Sequence, residues 1–338
     1  TQNELTVDTS GPAAPTPFAA AATYKVSQSV TLTPASDAAT TYYTLDGSAP
    51  SNQSTAYSTA ITVDAADGVT VTLKAVSYDA VGNLGTLLSA AYVFDKVGPV
   101  APTANPAAGT YNAAQSVTLT AADDADTTYY TLDGSAPDNS KTAYAGAIAI
   151  DAADGVTVTL KAVSYDTLGN LGTVLSAAYG FDKVAPVAPG IAPATGTYNA
   201  AQTVTVTPAG DAATTYYTID GSAPDNTKTL YAGSFAVDGD DAAEVIVKAV
   251  SFDAAGNAST VASVTYTFDK AGPAAPTAAP VAGTYNASQS VTLTVAGDAA
   301  TTYYTTNGDA PDNTKTVYTG AIAIDAGDGV TVTLQAVS

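Results

Sequence analysis

The chain has 338 residues, 31 acidic against 10 basic, for a formal net charge of −21, and it contains no Cys, Met, Trp or His. That composition excludes disulfides and every His- or Cys-dependent catalytic scheme. It also removes the usual ligands of zinc, haem and copper and sets the chain against a nucleic-acid backbone. No run approaches 18 apolar residues, so no membrane-spanning helix is expected. Disorder is not expected either, because 46% of the residues are hydrophobic and only 12% charged, and 21 tyrosines supply large apolar area.

Taken in chain order, the segments read as short strands joined by turns. Residues 1–8, TQNELTVD, alternate Leu5 and Val7 with polar residues. The proline-rich stretch 11–17 suits a linker or an edge. SVTLTPA (29–35) alternates Val30 and Leu32 with threonine, and TTYYTLDG (40–47) ends in an Asp-Gly turn. AITVDA (60–65) alternates Ile61 and Val63. GVTVTLKAVSYD (68–79) sets Val69, Val71 and Leu73 against Thr70, Thr72 and Lys74, and AAYVFD (90–95) puts Tyr92 and Phe94 on one face. No amphipathic helix of ten or more residues is found.

The same pattern then recurs. The tyrosine pair Tyr42-Tyr43 returns at Tyr129-Tyr130, Tyr216-Tyr217 and Tyr303-Tyr304, each time after 87 residues. Asp8, Asp95, Asp182 and Asp269 keep the same step, and residues 64–79 and 151–166 are identical. Such a period marks a tandem array. About seven strands in 87 residues predict an all-β chain of four immunoglobulin- or fibronectin III-like β-sandwiches. The expected segments are 1–8, an N-terminal donor strand; repeat 1, 9–95; repeat 2, 96–182; repeat 3, 183–269; and an incomplete repeat 4, 270–338. Short linkers holding two prolines, such as DKVGPVAP (95–102), predict a stiff rod.

GTYNAAQSVTLT (109–120), TTYYTLDGSAPDNSKTAYAGAI (127–148) and VTLKAVSYDTLGN (158–170) resemble the chitobiase/β-hexosaminidase C-terminal-type domain. VDTSGPAAPTP (7–17) is similar to the joints of bacterial multi-domain surface adhesins. The resemblance implies a fibronectin-like sandwich, and a role either as an appendage of polysaccharide enzymes or as a repeat of surface proteins. Repeat 4 departs from the motif, with Asn307 in the DGS turn and Gln335 where Lys74, Lys161 and Lys248 stand.

The phase of the ends carries the functional expectation. Thr1 aligns with Leu88, so Thr1, Gln2, Asn3, Glu4, Leu5, Thr6, Val7 and Asp8 read as the last strand of a repeat. Ser338 aligns with Ser77, so repeat 4 as far as Ser338 stops before that strand, by the connection YDAVGNLGTL (78–87). A strand of eight residues spans about 26 Å and four sandwiches in a row about 130 Å, so the tail is expected to reach a neighbouring copy rather than its own fourth repeat. Head-to-tail strand addition without closure gives a filament. The expected acceptor is 330–338, through Val330, Val332, Leu334, Ala336 and Ser338. The partners expected are therefore copies of the chain itself, at the outside of a microbial cell, with neither nucleic acid nor membrane insertion. The competing expectations are a stalk fragment of a large adhesin and a polysaccharide-binding module.

Other motifs favour structure over chemistry. One tyrosine of each pair should face the core and one the surface, against the alternative of a sugar-stacking platform. Asp64/Asp67, Asp151/Asp154, Asp238/Asp240/Asp241 and Asp325/Asp328 read as polar turns, too few per turn to hold calcium unaided. Asp79 with Gly82-Asn83 reads the same way. Every acid is repeated without a tuned partner, so no enzyme, catalytic residue, metal site or cofactor is expected.

Overall fold

The computed structural model describes residues 6–338. Thr1, Gln2, Asn3, Glu4 and Leu5, five of the eight expected donor residues, lie outside the described residues. The chain divides into two compact bodies. One runs to Val184 with Ala255–Asn257 and holds repeats 1 and 2; the other, Ala185–Ala254 with Ala258–Ser338, holds most of repeat 3 and all of repeat 4.

Repeat 1 contains β1 (Thr16–Phe18), β2 (Thr23–Tyr24), β3 (Gln28–Thr33), β4 (Thr40–Thr44), β5 (Thr55–Ala56), β6 (Ile61–Val63), β7 (Thr70–Tyr78) and β8 (Leu88–Phe94). One sheet has the order β1-β3-β6 and the other β2-β8-β7-β4-β5. All pairings are antiparallel except β2 with β8. The residues that alternate in the sequence alternate in burial: Val30 and Leu32 on β3, and Ile61 and Val63 on β6, face Leu73, Ala75, Ala90, Tyr92 and Phe94 of the larger sheet. Burying each large side chain is worth about 1.5–3 kcal/mol. Repeats 2 and 3 repeat this topology, with cores around Tyr179 and Phe181 and around Tyr266 and Phe268.

Two details differ from the sequence reading. The two-residue strands β2 and β5 bring repeat 1 to eight strands. The connection 78–87 is also not a plain loop, because Leu84 bridges back to Tyr78 and the Gly85 amide donates to the Ser77 carbonyl at 2.8 Å. In repeat 2 the last strand already begins within this stretch, at Leu171, and runs to Phe181.

Repeat 4 keeps the smaller sheet, Thr277–Ala279, Gln289–Thr294 and Ile322–Ile324. Among the described residues its larger sheet has three strands where the others have five: Thr316–Val317, Tyr303–Thr305 and Gln335–Val337. Among the described residues β2 and β8 are the two strands without a counterpart in that sheet.

Candidate assembly site

In a complete repeat β8 is the lid of the sandwich. Opposite it, Leu73, Ala75 and Ser77 of β7 are fully buried, as are Leu160, Ala162 and Ser164 in repeat 2. The corresponding Leu334, Ala336 and Ser338 are only half-buried, and Val332 with them. Thr331, Thr333, Gln335 and Val337 are exposed. The parity thus puts Val332, Leu334 and Ala336 on the core side of a strand that no described residue covers.

The ends of this edge behave differently. Val330 is exposed, as Val69 and Val156 are in complete repeats. Those valines contribute backbone: the Val69 carbonyl accepts the Phe94 amide at 3.0 Å, and the Gly68 amide donates to the Phe94 carbonyl at 2.8 Å. At the other end the β7–β8 register stops at Ala75 opposite Leu88. Ser338 therefore lies past the ladder, and its hydroxyl pairs with Thr302 at 2.8 Å, as Ser77 does with Thr41.

On the other flank stands Tyr285. Its hydroxyl donates to the Val281 carbonyl at 2.5 Å, the bond that Tyr24 makes to Ala20 and Tyr198 to Ala194. In repeats 1 to 3 that tyrosine lies against the tyrosine of the last strand, Tyr24 on Tyr92 at 6.1 Å, Tyr111 on Tyr179 at 6.0 Å and Tyr198 on Tyr266 at 5.8 Å between centroids. Tyr285 has no such neighbour among the described residues and is 44% exposed.

Of the front segment, Thr6, Val7 and Asp8 are described; all three are exposed and outside any strand, with Val7 at 74%. Asp8 is nonetheless gripped. The Asn83 side-chain amide donates to the Asp8 carbonyl at 3.0 Å, just as Asn170 donates to the Asp95 carbonyl at 2.9 Å where repeat 1 ends. The tail therefore leaves repeat 1 through the same contact that joins repeat 1 to repeat 2.

That contact explains the recurring Asp-x-x-Gly-Asn loop. Asp166 Oδ1 accepts the Leu168 and Asn170 amides at 2.9 and 2.8 Å, and Oδ2 accepts the Asn170 side-chain amide at 2.7 Å. Burial pushes the Asp166 carboxyl up, but these bonds outweigh it and hold the group below the usual carboxylate range. Asp95 shifts the other way, through burial and then through repulsion from Asp166, Asp67 and Asp124. The signs are opposite. The Asp166 contribution to stability is present above the ordinary carboxylate pKa of about 3.9 and is lost as pH falls below it, while that of Asp95 is full below this value and is lost as pH rises through its raised one. Carboxyl carbon NMR titration should place Asp95 above and Asp166 below that reference, and Asn170→Ala should bring Asp166 back up. Coincident midpoints for the two groups in the parent chain would contradict this account.

The acidic turns grip the joint from the other side. Asp67 Oδ1 accepts the Lys96 amide at 2.6 Å, and Asp64 pairs with the Lys96 ammonium at 2.5 Å, which also lies 5.1 Å from the Phe94 ring centroid. Asp151 with Lys183, and Asp238 with Lys270, repeat the ion pair at 2.6 Å. In the sequence these acids read only as turn residues and the lysines do not stand out, although Phe-Asp-Lys recurs at the 87-residue step. The Asp46 turn is structural: its carboxylate accepts the Ser48 amide and hydroxyl at 2.9 and 2.6 Å, with Gly47 at a φ of 77°. In repeat 4 Asn307 keeps the turn by accepting the Asp309 amide at 3.1 Å. Of the tyrosine pairs, Tyr43 and Tyr130 pack on the core, while Tyr42 and Tyr129 stand edge-on to Tyr78 and Tyr165.

Among solved structures, the chain is similar to the fibronectin(III)-like modules of Clostridium thermocellum CbhA, at 16% identity over 50% of this chain and 94% of that one, with a TM-score of 0.32. Three N-terminal domains of the bacteriophage RB49 Hoc protein match at 13% identity over 78% of this chain and all of theirs, TM-score 0.35. The chicken CNTN1 FN1-FN3 domains match at 12% over 76% and 99%, TM-score 0.29. Likenesses this distant carry no argument about what the chain does. No curated protein sequence matches it. Tandem immunoglobulin- or fibronectin-like repeats are typical of extracellular and surface proteins. The chitobiase/beta-hexosaminidase C-terminal domain matches residues 19–89, 106–176, 193–269 and 280–338, and the chain belongs to that family.

Proposed function

We propose that the chain is a non-enzymatic subunit of an extracellular filament, in which residues 1–8 of one copy complete repeat 4 of the next. The observation that carries this reading is the uncovered edge of repeat 4, with Leu334 and Ala336 half-buried where complete repeats bury their counterparts, and Val332 half-buried as Val71 is. An unfilled sheet edge invites another strand. The register of β7 on β8 supplies the pairing: Val332 opposite Leu5, Leu334 opposite Asn3 and Ala336 opposite Thr1, with the Val330 carbonyl accepting the Val7 amide. The Asn83 contact to Asp8 supports the reading because a repeat completed by the tail would join repeat 1 as repeat 1 joins repeat 2. The large negative charge keeps such fibres apart.

The same contact favours a second reading, a section of a longer repeat protein whose preceding repeat ends in residues 1–8. Negative-stain microscopy of the full chain beside a chain lacking residues 1–8 separates the two. Filaments from the first and dispersed particles from the second are expected. Dispersed particles from both would leave the longer repeat protein as the reading.

A further inference from the structure

Resting on that reading, the slot of repeat 4 carries more information than an apolar groove, because its walls repeat those of three filled slots. In each filled slot the last strand brings the same groups. A tyrosine lies on the flanking tyrosine and donates its hydroxyl to a backbone carbonyl, Tyr92 to Ala19 at 2.8 Å, Tyr179 to Pro106 at 2.8 Å and Tyr266 to Pro193 at 2.7 Å. A phenylalanine two residues on is buried. A lysine two residues after that reaches the acidic turn. Repeat 4 holds every receiving group: Tyr285 fixed by its bond to Val281, Pro280 in the place of Ala19, and Asp325 and Asp328 in the places of Asp64 and Asp67.

The chain's own tail supplies few of the matching groups. Aligned by the 87-residue step, Leu5 stands for Tyr92, Val7 for Phe94 and Thr9 for Lys96, while polar Asn3 replaces the buried Ala90. Leucine has no hydroxyl to donate, valine fills less volume than phenylalanine, threonine forms no ion pair, and an amide in a buried site needs a partner.

We infer that the slot of repeat 4 is a peptide-strand site specific for an extended Ala-x-Tyr-x-Phe-Asp-Lys segment, and that the chain's own front strand is a deliberately weaker occupant. The tyrosine, phenylalanine and lysine are the specificity elements, and Tyr285, Pro280 and Asp325 their receivers. A strand of that pattern displaces the tail and ends a filament.

The test is fluorescence anisotropy with two labelled peptides, residues 88–97 and residues 1–10. They are titrated with the full-length chain carrying Leu5→Asp, so that its own tail does not compete. The peptide 88–97 is expected to bind at least tenfold more tightly, and its Tyr92→Leu form to lose most of that advantage. It should also shorten filaments of the unaltered chain when added in excess. Equal binding of the two peptides, or tighter binding of 1–10, overturns the specificity and leaves the filament reading standing. Failure of both peptides to bind overturns the two together.

Discussion

A chain whose residues 1–8 are moved from the front to a point after Ser338, through a copy of residues 78–87, is expected to stay monomeric where the parent chain assembles. The connection is one the repeats already use, with Gly85 returning to the Ser77 carbonyl and Asn83 closing on Asp79. It therefore delivers the strand at the register of β8. Leu5 and Val7 then enter the places of Tyr92 and Phe94, and their burial contributes about 3–6 kcal/mol, an upper figure because they are smaller than the residues they replace. The rearranged chain should show two effects together. Sedimentation should give a single monomeric species, and amide exchange over 332–337 should slow to the rates of residues 71–76 in repeat 1. Continued assembly of this tail-free chain would mean that copies join through another surface, and the donor-strand reading would fall.

The architecture was legible from side-chain alternation because β3, β6 and β8 each have one face in the core, so Val30, Leu32, Tyr92 and Phe94 announce themselves every second residue. The strands β2 and β5 could not be read this way. They are two residues long, and they exist because β8 and β4 present free ladders to them, a condition set more than ten residues away. The candidate site divides along the same line. The parity of Val332, Leu334 and Ala336 follows from alternation alone. The backbone role of Val330 and the pairing of Ser338 with Thr302 depend on where the ladder stops, which no spacing discloses. Nor does periodicity identify Asn83, Asn170 or Lys96 as joint residues, since each is a polar residue in a turn until the carbonyl or carboxylate it meets is known.

Leu160→Ala and Leu334→Ala change equivalent residues, yet their expected effects differ with the state of assembly. Leu160 is fully buried between Ala162, Tyr179 and the facing Val117 and Ile150. Truncating such a leucine removes transfer energy and leaves a cavity, about 2–5 kcal/mol. Leu334 is only half-buried in the single chain. There the cavity term vanishes, because water already reaches the site, and the cost should be less than half that of Leu160→Ala. Once a strand covers the edge, Leu334 is enclosed as Leu160 is, and its truncation should weaken assembly by about 2 kcal/mol or more, roughly thirtyfold in the association constant. Hydrogen exchange resolved by repeat, on dispersed and assembled material, reads both quantities. An equal cost for the two variants in the dispersed chain would show that repeat 4 is already closed without a partner. A Leu334→Ala chain that assembles as well as its parent would show that the edge is not where copies meet.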